Sequence, residues 1–229
     1  MQLSEWLSQQ APKVRNNCKI VTVDCAYHIS ANQKIKRFMP MIGNRMADTE
    51  DRTIARVCCA ATVIDAIRGH SAVAWELLDA WFNGQIDEFA IYQLPFTEYI
   101  KPNSKLVFDA EATNELWVVP NDATTVSFKA PIVGYFMLEE YARTVGAGYD
   151  AMEIKYVVRT QTPIVLDIGE VIEGYYRVTV VSKNKVNRPQ WQSPLTITSI
   201  DRISASSYNA VVSKIKRVIK YSEGRKPLL

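Results

Sequence analysis

Apolar and polar positions alternate along much of the chain, a pattern typical of β-strands that bury one face. The pattern predicts strands over residues 18–25, 54–60, 89–94, 116–119, 125–128, 153–159, 164–168, 175–182 and 195–200. Several of these runs are rich in β-branched and aromatic residues, which fit a pleated, half-buried surface. The chain is therefore expected to be built mainly from β-sheet.

Runs with helical spacing predict helices over residues 4–10, 63–67, 71–82, 135–144 and 208–219. Thr62 is expected to cap the helix at 63–67, because threonine hydroxyls accept from free backbone N–H groups at helix starts. The last helix has the most regular apolar stripe, at Tyr208, Val211, Val212, Ile215, Val218 and Ile219. Ser206 and Ser207 are its expected N-caps, and Gly224 is expected to close it.

Helices and strands do not alternate regularly, which favours an α+β fold over a doubly wound sheet. We expect a mixed, largely antiparallel sheet core with peripheral helices. The core is predicted to occupy residues 1–160, and a C-terminal extension of strands and a helix is predicted to occupy 161–229. A chain of 229 residues can bury such a core without disulfides or metals.

The composition predicts a soluble, cytoplasmic protein with free thiols. We find no charged leader followed by an apolar run, and no stretch long enough to span a membrane. The four cysteines lack the spacing of a secreted disulfide scaffold. Cys25 and His28 have a short ligand-like spacing, but Cys58 and Cys59 do not complete a typical zinc site, so no metal is predicted.

Basic residues are concentrated at the C-terminal end. Residues 181–229 contain ten Lys or Arg against two Asp or Glu, whereas the whole chain carries a net charge of only +3. This asymmetry points to an acidic partner, protein or nucleic acid. The candidate face consists of Lys183, Lys185, Arg188, Lys214, Arg217 and Lys220. The alternative is an ordinary solvated helix face.

Three short segments carry candidate chemistry. Residues 27–30 (YHIS) follow the first predicted strand, and residues 57–67 (VCCAATVIDAI) pass from a strand into a helix. Residues 115–119 (ELWVV) place a carboxylate, Glu115, at the head of a strand. A further segment, 148–151, reads GYDA.

In this order the segments resemble the ADP-ribosyltransferases, over roughly residues 18–153. The resemblance implies NAD as substrate, with Glu115 as the catalytic carboxylate that stabilises the oxocarbenium-like ribose. His28 would hold the adenosine ribose, and Tyr27, Ser30 and Thr62 would line the cofactor site. ADP-ribose would pass to a macromolecular acceptor. The sequence departs from the family two residues before Glu115, where it has Thr113.

Two other functions remain open from the sequence. The chain is either a noncatalytic structural or interaction protein, for example one associated with a virus particle, or a nucleic-acid-binding protein that uses the basic C-terminal face. Each candidate site residue also has a purely structural interpretation: His28 as a satisfied histidine, Thr62 as a helix cap and Glu115 as a strand-end charge. The enzyme hypothesis requires all three to meet at one cleft.

Overall fold

The computed structural model describes residues 1–43, 51–69, 88–107, 110–146, 149–167, 169–171, 173–185 and 196–223. Its strands are β1 (Cys18–Thr22), β2 (Ala26–Ser30), β3 (Val57–Ala60), β4 (Phe89–Leu94), β5 (Glu98–Pro102), β6 (Glu115–Val118), β7 (Ile132–Gly146), β8 (Tyr149–Thr160), β9 (Ile164–Asp167), β10 (Gly169–Val171), β11 (Gly174–Lys185) and β12 (Thr196–Ile203). The described helices are α1 (Leu3–Ser8), α2 (Pro12–Arg15), α3 (Val63–Gly69), α4 (Ala110–Thr113), α5 (Ala123–Val126) and α6 (Ala205–Glu223). The predicted α+β class is confirmed, since the sheet is mostly antiparallel and few helices accompany it.

The chain divides into two compact units, each assembled from three segments. The first comprises Met1–Gly69, Ile91–Ile132 and Ile164–Val171. The second comprises His70–Ala90, Val133–Pro163 and Ile172–Leu229. Position 160, at which the core was expected to end, lies inside the second unit.

In the first unit the strand order is β1-β5-β6-β3-β2-β4, and β9 and β10 form a separate antiparallel pair. The centre of its core is Trp117 of β6, which is fully buried and pairs with Ile100 of β5. Leu3 and Trp6 of α1 belong to the same apolar cluster. These two residues are one helical turn apart, so a single face of the short helix supplies both contacts.

In the second unit four long strands pair in the order β7-β8-β11-β12, with antiparallel registers. Phe136, Tyr156 and Val178 lie on one face of this sheet, and all three are buried. On the other face Met137 and Val157 form a cluster with Tyr208 and Val211 of α6. Both faces of the central strand β8 are therefore covered.

Two element predictions were wrong for identifiable reasons. Residues 135–144 were expected to be helical but belong to β7. Residues 135–138 of β7 are a continuous apolar run that covers both faces, so the alternation that marks a strand is missing from this part of its sequence. Residues 125–128 were expected to form a strand, but Asp122 caps α5 there by accepting from the N–H groups of Thr124 and Thr125.

The structure also differs from smaller predictions about helix caps and strands. The helix predicted at 208–219 is confirmed as α6, but its cap is Ser204, whose Oγ accepts from the N–H of Ser207 at 3.1 Å. Strand β5 was not predicted. The helix predicted at 71–82 and the closing Gly224 lie outside the described residues. None of the described helices combines the length and hydropathy needed to cross a bilayer.

Candidate functional site

Residues 27–30 were predicted to follow a strand, but they lie within β2 itself. Tyr27 pairs with Ala60 of β3, and Ala60 pairs with Glu115 of β6. Directly paired residues in antiparallel strands project from the same face, and successive residues project from opposite faces. Tyr27 and Glu115 therefore share one face of the sheet, and His28 lies on the other.

His28 is held by the backbone of the neighbouring strand. Its Nδ1 lies 2.8 Å from the carbonyl oxygen of Cys58, so Nδ1 carries the proton and donates it. The imidazole also meets the ring of Phe38 edge-on, with 5.1 Å between the ring centroids. This arrangement fixes the orientation of the ring among aromatic side chains on the face opposite Glu115.

Glu115 begins β6, as predicted, but its side chain is buried. Its carboxylate accepts a hydrogen bond of 2.5 Å from Nε1 of Trp117. The guanidinium of Arg56 lies over the same indole, 4.4 Å from the ring centroid. A tryptophan N–H needs a partner when it is buried, and Glu115 supplies it.

The Glu115 carboxylate also affects two thiols of β3. Burial, followed by the proximity of this carboxylate, raises the pKa of Cys59 and of Cys58 well above the usual value. Cys58 is exposed to solvent, whereas Cys59 is buried. Both cysteines are therefore held as thiols at neutral pH, in which form they are poor nucleophiles and poor metal ligands.

Thr62 caps α3, as predicted. Its Oγ1 accepts from the N–H of Asp65 at 3.0 Å, and its carbonyl accepts from the N–H of Ala66 at 3.1 Å. Tyr27 is almost fully buried, and its hydroxyl donates to Sγ of Cys25 and accepts from the N–H of Val165. Neither side chain presents the free polar group that a nicotinamide site would use.

Ser30 also makes a local contact, since its Oγ accepts from the N–H of Asn32 at 3.1 Å.

Because His28 and Glu115 lie on opposite faces of the sheet, the strand register does not bring them to one cleft. The polar side-chain groups of Tyr27, Ser30 and Thr62 each accept from a backbone N–H group of the protein. This geometry lends no support to a joint nucleotide site.

The contacts of the basic C-terminal helix, α6, show how it lies on the sheet of the second unit. Near its start, Tyr208 packs on Tyr175 at the beginning of β11, with 5.0 Å between ring centroids. Six residues later the positive charge of Lys214 helps to lower the pKa of Glu140, which shares a cross-strand row with Lys155 and Thr179. Helix α6 therefore runs along β11 towards its C-terminal end.

That end of β11 carries Lys183 and Lys185, and the remaining turns of α6 carry Lys216, Arg217 and Lys220. At about 1.5 Å per residue, Lys220 begins about 9 Å beyond Lys214 along the helix axis. The backbone thus leads both sets of basic positions to the same end of the second unit. Lys214 is exposed, and Arg188 lies outside the described residues.

Two acidic side chains on the sheet face that α6 covers, Glu139 and Glu140, are paired with basic groups of the sheet. Glu139 accepts two hydrogen bonds from Arg177, of 2.5 and 2.6 Å. Glu140 accepts from Nζ of Lys155 at 2.9 Å, and this contact holds the pKa of Glu140 below its usual value. These two carboxylates are therefore already partly neutralised by basic groups of the sheet.

No family model matches the chain, and neither curated proteins nor solved structures show a significant similarity to it. Within the described ranges, no three His, Cys, Asp or Glu side chains are grouped so that they could hold a metal ion. The function has to be argued from the chain itself.

Proposed function

We propose that the protein binds nucleic acid through the basic face of α6 and the adjoining end of β11. The observation that carries the proposal is the path of α6. It is anchored by Tyr208 and Val211 on the sheet, and it then leads its basic residues towards Lys183 and Lys185. A docked helix holds the backbone of its basic positions in place, so less entropy is lost on binding than from a loose tail.

The chemistry fits phosphate contacts better than a nucleotide pocket. Lys and Arg neutralise phosphates and release condensed counterions, which makes the affinity strongly dependent on salt. Partial neutralisation of Glu139 and Glu140 by the sheet reduces the repulsion that an approaching phosphate backbone would meet. The proposal includes no sequence preference, since phosphate contacts alone do not read bases.

The test compares two fourfold variants by fluorescence anisotropy with a labelled 20-base-pair DNA and the matching single strand. In the first variant Lys214, Lys216, Arg217 and Lys220 become Gln. In the control the exposed residues Lys19, Lys34, Lys36 and Lys105 of the first unit become Gln, which changes the net charge equally. Salt is varied from about 50 to 200 mM, the range over which phosphate contacts weaken steeply.

We expect the first variant to lose affinity and to lower the slope of log K against log salt by about 0.9 for each phosphate contact removed. The control should behave as wild type. Equal losses in both variants would show that only net charge matters, and absence of binding at the lowest salt by folded protein would contradict the proposal.

A further inference from the structure

A groove of about 540 Å³ opens in the first unit between the start of α1, the turn before β5 and the start of α5. Its volume lies within the usual range for small-molecule sites. Phe96 and Ile20 contribute apolar surface to its lining, and Thr97, Glu98, Asp122 and Thr124 contribute polar groups. Sequence reasoning did not single out these residues, because they are far apart in the chain and match no motif.

The charged side chains of the lining are all acidic. Glu98 and Asp122 both line the groove, whereas none of its side chains is Lys, Arg or His. Glu98 is exposed, and its carboxylate forms no ion pair or hydrogen bond within the described part of the chain. An anionic ligand such as a dinucleotide would be repelled here.

Asp122 is fixed in place while one of its oxygens stays available. Its Oδ1 accepts from Oγ1 and N–H of Thr124 and from N–H of Thr125 as the cap of α5. These hydrogen bonds, led by the one from the Thr124 hydroxyl, lower the pKa of Asp122, so it is ionised at neutral pH. Among the described residues no hydrogen bond engages Oδ2.

Phe96 provides an aromatic wall for the groove. It is held edge-on against Phe128, with 4.9 Å between the ring centroids, and it is only half-buried. An aromatic face next to carboxylates suits a cation with a short apolar stem, because the ring attracts the charge and packs against the methylenes.

We propose that this groove binds an organic cation, namely a primary ammonium group on an aliphatic stem. Glu98 and Oδ2 of Asp122 accept from the ammonium, Thr97 and Thr124 add hydroxyl acceptors, and Phe96 with Ile20 packs along the stem. The ligand is either a free amine or the lysine side chain of a partner, and the chemistry at the groove is the same for both. The site lies within the first unit and does not depend on the proposed nucleic-acid contact.

Calorimetry of the full chain at pH 7 tests the site with 1,5-diaminopentane, which represents a free amine. A second titration uses a blocked lysine amide, which represents the lysine side chain of a partner. The neutral isostere 1,5-pentanediol serves as the ligand control. Glu98→Gln and Asp122→Asn are the test variants, and Asn retains the capping oxygen of Asp122. The protein control is Glu5→Gln, an exposed carboxylate of α1 that does not line the groove.

We expect one or both amines to bind, the diol to give no heat, and each test variant to weaken amine binding about fivefold, the effect of one partly exposed charge. Glu5→Gln should bind as wild type. Binding of the diol as tight as that of the amine, or unchanged affinity in Glu98→Gln, would overturn the proposal. So would absence of heat with either amine at millimolar concentration. Should Asp122→Asn fail to fold, Glu98→Gln alone decides.

Discussion

At the residue scale, the buried polar groups of the first unit explain why Glu115 looks like a catalytic carboxylate in the sequence. It stands at the head of a strand, two residues before an aromatic residue. In the fold, however, the aromatic residue is its hydrogen-bond partner, since Nε1 of Trp117 donates to it. Arg56 stacks on the same indole, so charge and ring form one buried cluster.

This role predicts the effect of substitutions at Glu115. Glu115→Ala leaves Nε1 of Trp117 without this acceptor and should lower the free energy of unfolding by about 1–3 kcal/mol. Glu115→Gln keeps an acceptor oxygen and should cost less. Urea unfolding at pH 7 measures both, and Glu111→Ala, an exposed glutamate of α4, should stay within about 0.5 kcal/mol of wild type. Equal stability of Glu115→Ala and wild type would rule out a structural role.

At the element scale, α6 depends on a polar anchor as well as on its apolar stripe. The hydroxyl of Tyr208 donates to Glu88 at 2.7 Å, and Arg159 lies 3.7 Å from the same carboxylate. Burial, and then the hydrogen bond to Glu88, raises the pKa of Tyr208 above its ordinary value. The neutral phenol is therefore the form that the fold stabilises.

Tyr208→Phe should lower the free energy of unfolding at pH 7 by about 1–3 kcal/mol, because Glu88 loses a donor. Tyr135→Phe is the matched control, since no hydrogen bond of its hydroxyl occurs among the described residues, and it should have little effect. Tyr208→Phe leaves every basic residue of α6 in place. If the hydrogen bond from Tyr208 to Glu88 is needed to hold α6 on the sheet, this variant should also weaken binding of nucleic acid.

The stability contributed by Tyr208 should depend on pH in one direction. A phenol whose pKa is raised on folding contributes fully below about pH 10, the unfolded value, and its contribution falls as pH rises through the folded value. Wild-type stability should therefore drop between about pH 9 and 11, and more steeply than that of Tyr208→Phe. Burial also raises the pKa of Tyr99 and Tyr156, so part of the slope should remain in the variant. Identical slopes would contradict the assignment to Tyr208.

At the scale of the whole molecule, each unit is formed by three separate segments of the chain. In the second unit β8 lies between β7 and β11, and Val157 and Val158, which face opposite sides of β8, are both fully buried. A chain ending at 160 would keep β7 and β8 but lose β11, β12 and α6. The edge of β8 that pairs with β11 and the face of β8 that α6 covers would then be uncovered.

A fragment of residues 1–160 is therefore expected to aggregate or to lack a folded second unit, since an uncovered apolar edge strand promotes association. Soluble yield, circular dichroism and amide-proton NMR dispersion, each compared with the full chain, would measure this. A monomeric fragment in which β7 and β8 give native-like amide shifts would show that position 160 is a true domain boundary.

Features that depend on residues close together in the sequence could be predicted from the sequence alone. Strands β4, β8 and β11 follow from alternation and β-branched content, the cap at Thr62 from its hydroxyl, and α6 from a stripe that repeats at helical spacing. These are local signals, because a strand or helix records its own period in the order of its side chains. The concentration of basic residues in the C-terminal part is equally a property of the sequence alone.

Only the tertiary structure decided which side chains meet. β7 is a strand because β8 pairs with it and because Phe136, Met137 and Leu138 are buried there, which overrides the helical preference of its residues. The pairing of Tyr27 with Ala60 and of Ala60 with Glu115 sends His28 to the opposite face. Since side chains alternate with a period of two, a shift of one residue reverses this outcome, and registers are set by distant contacts. For the same reason the groove at Glu98 and Asp122 exists only once β5 and α5 are packed together.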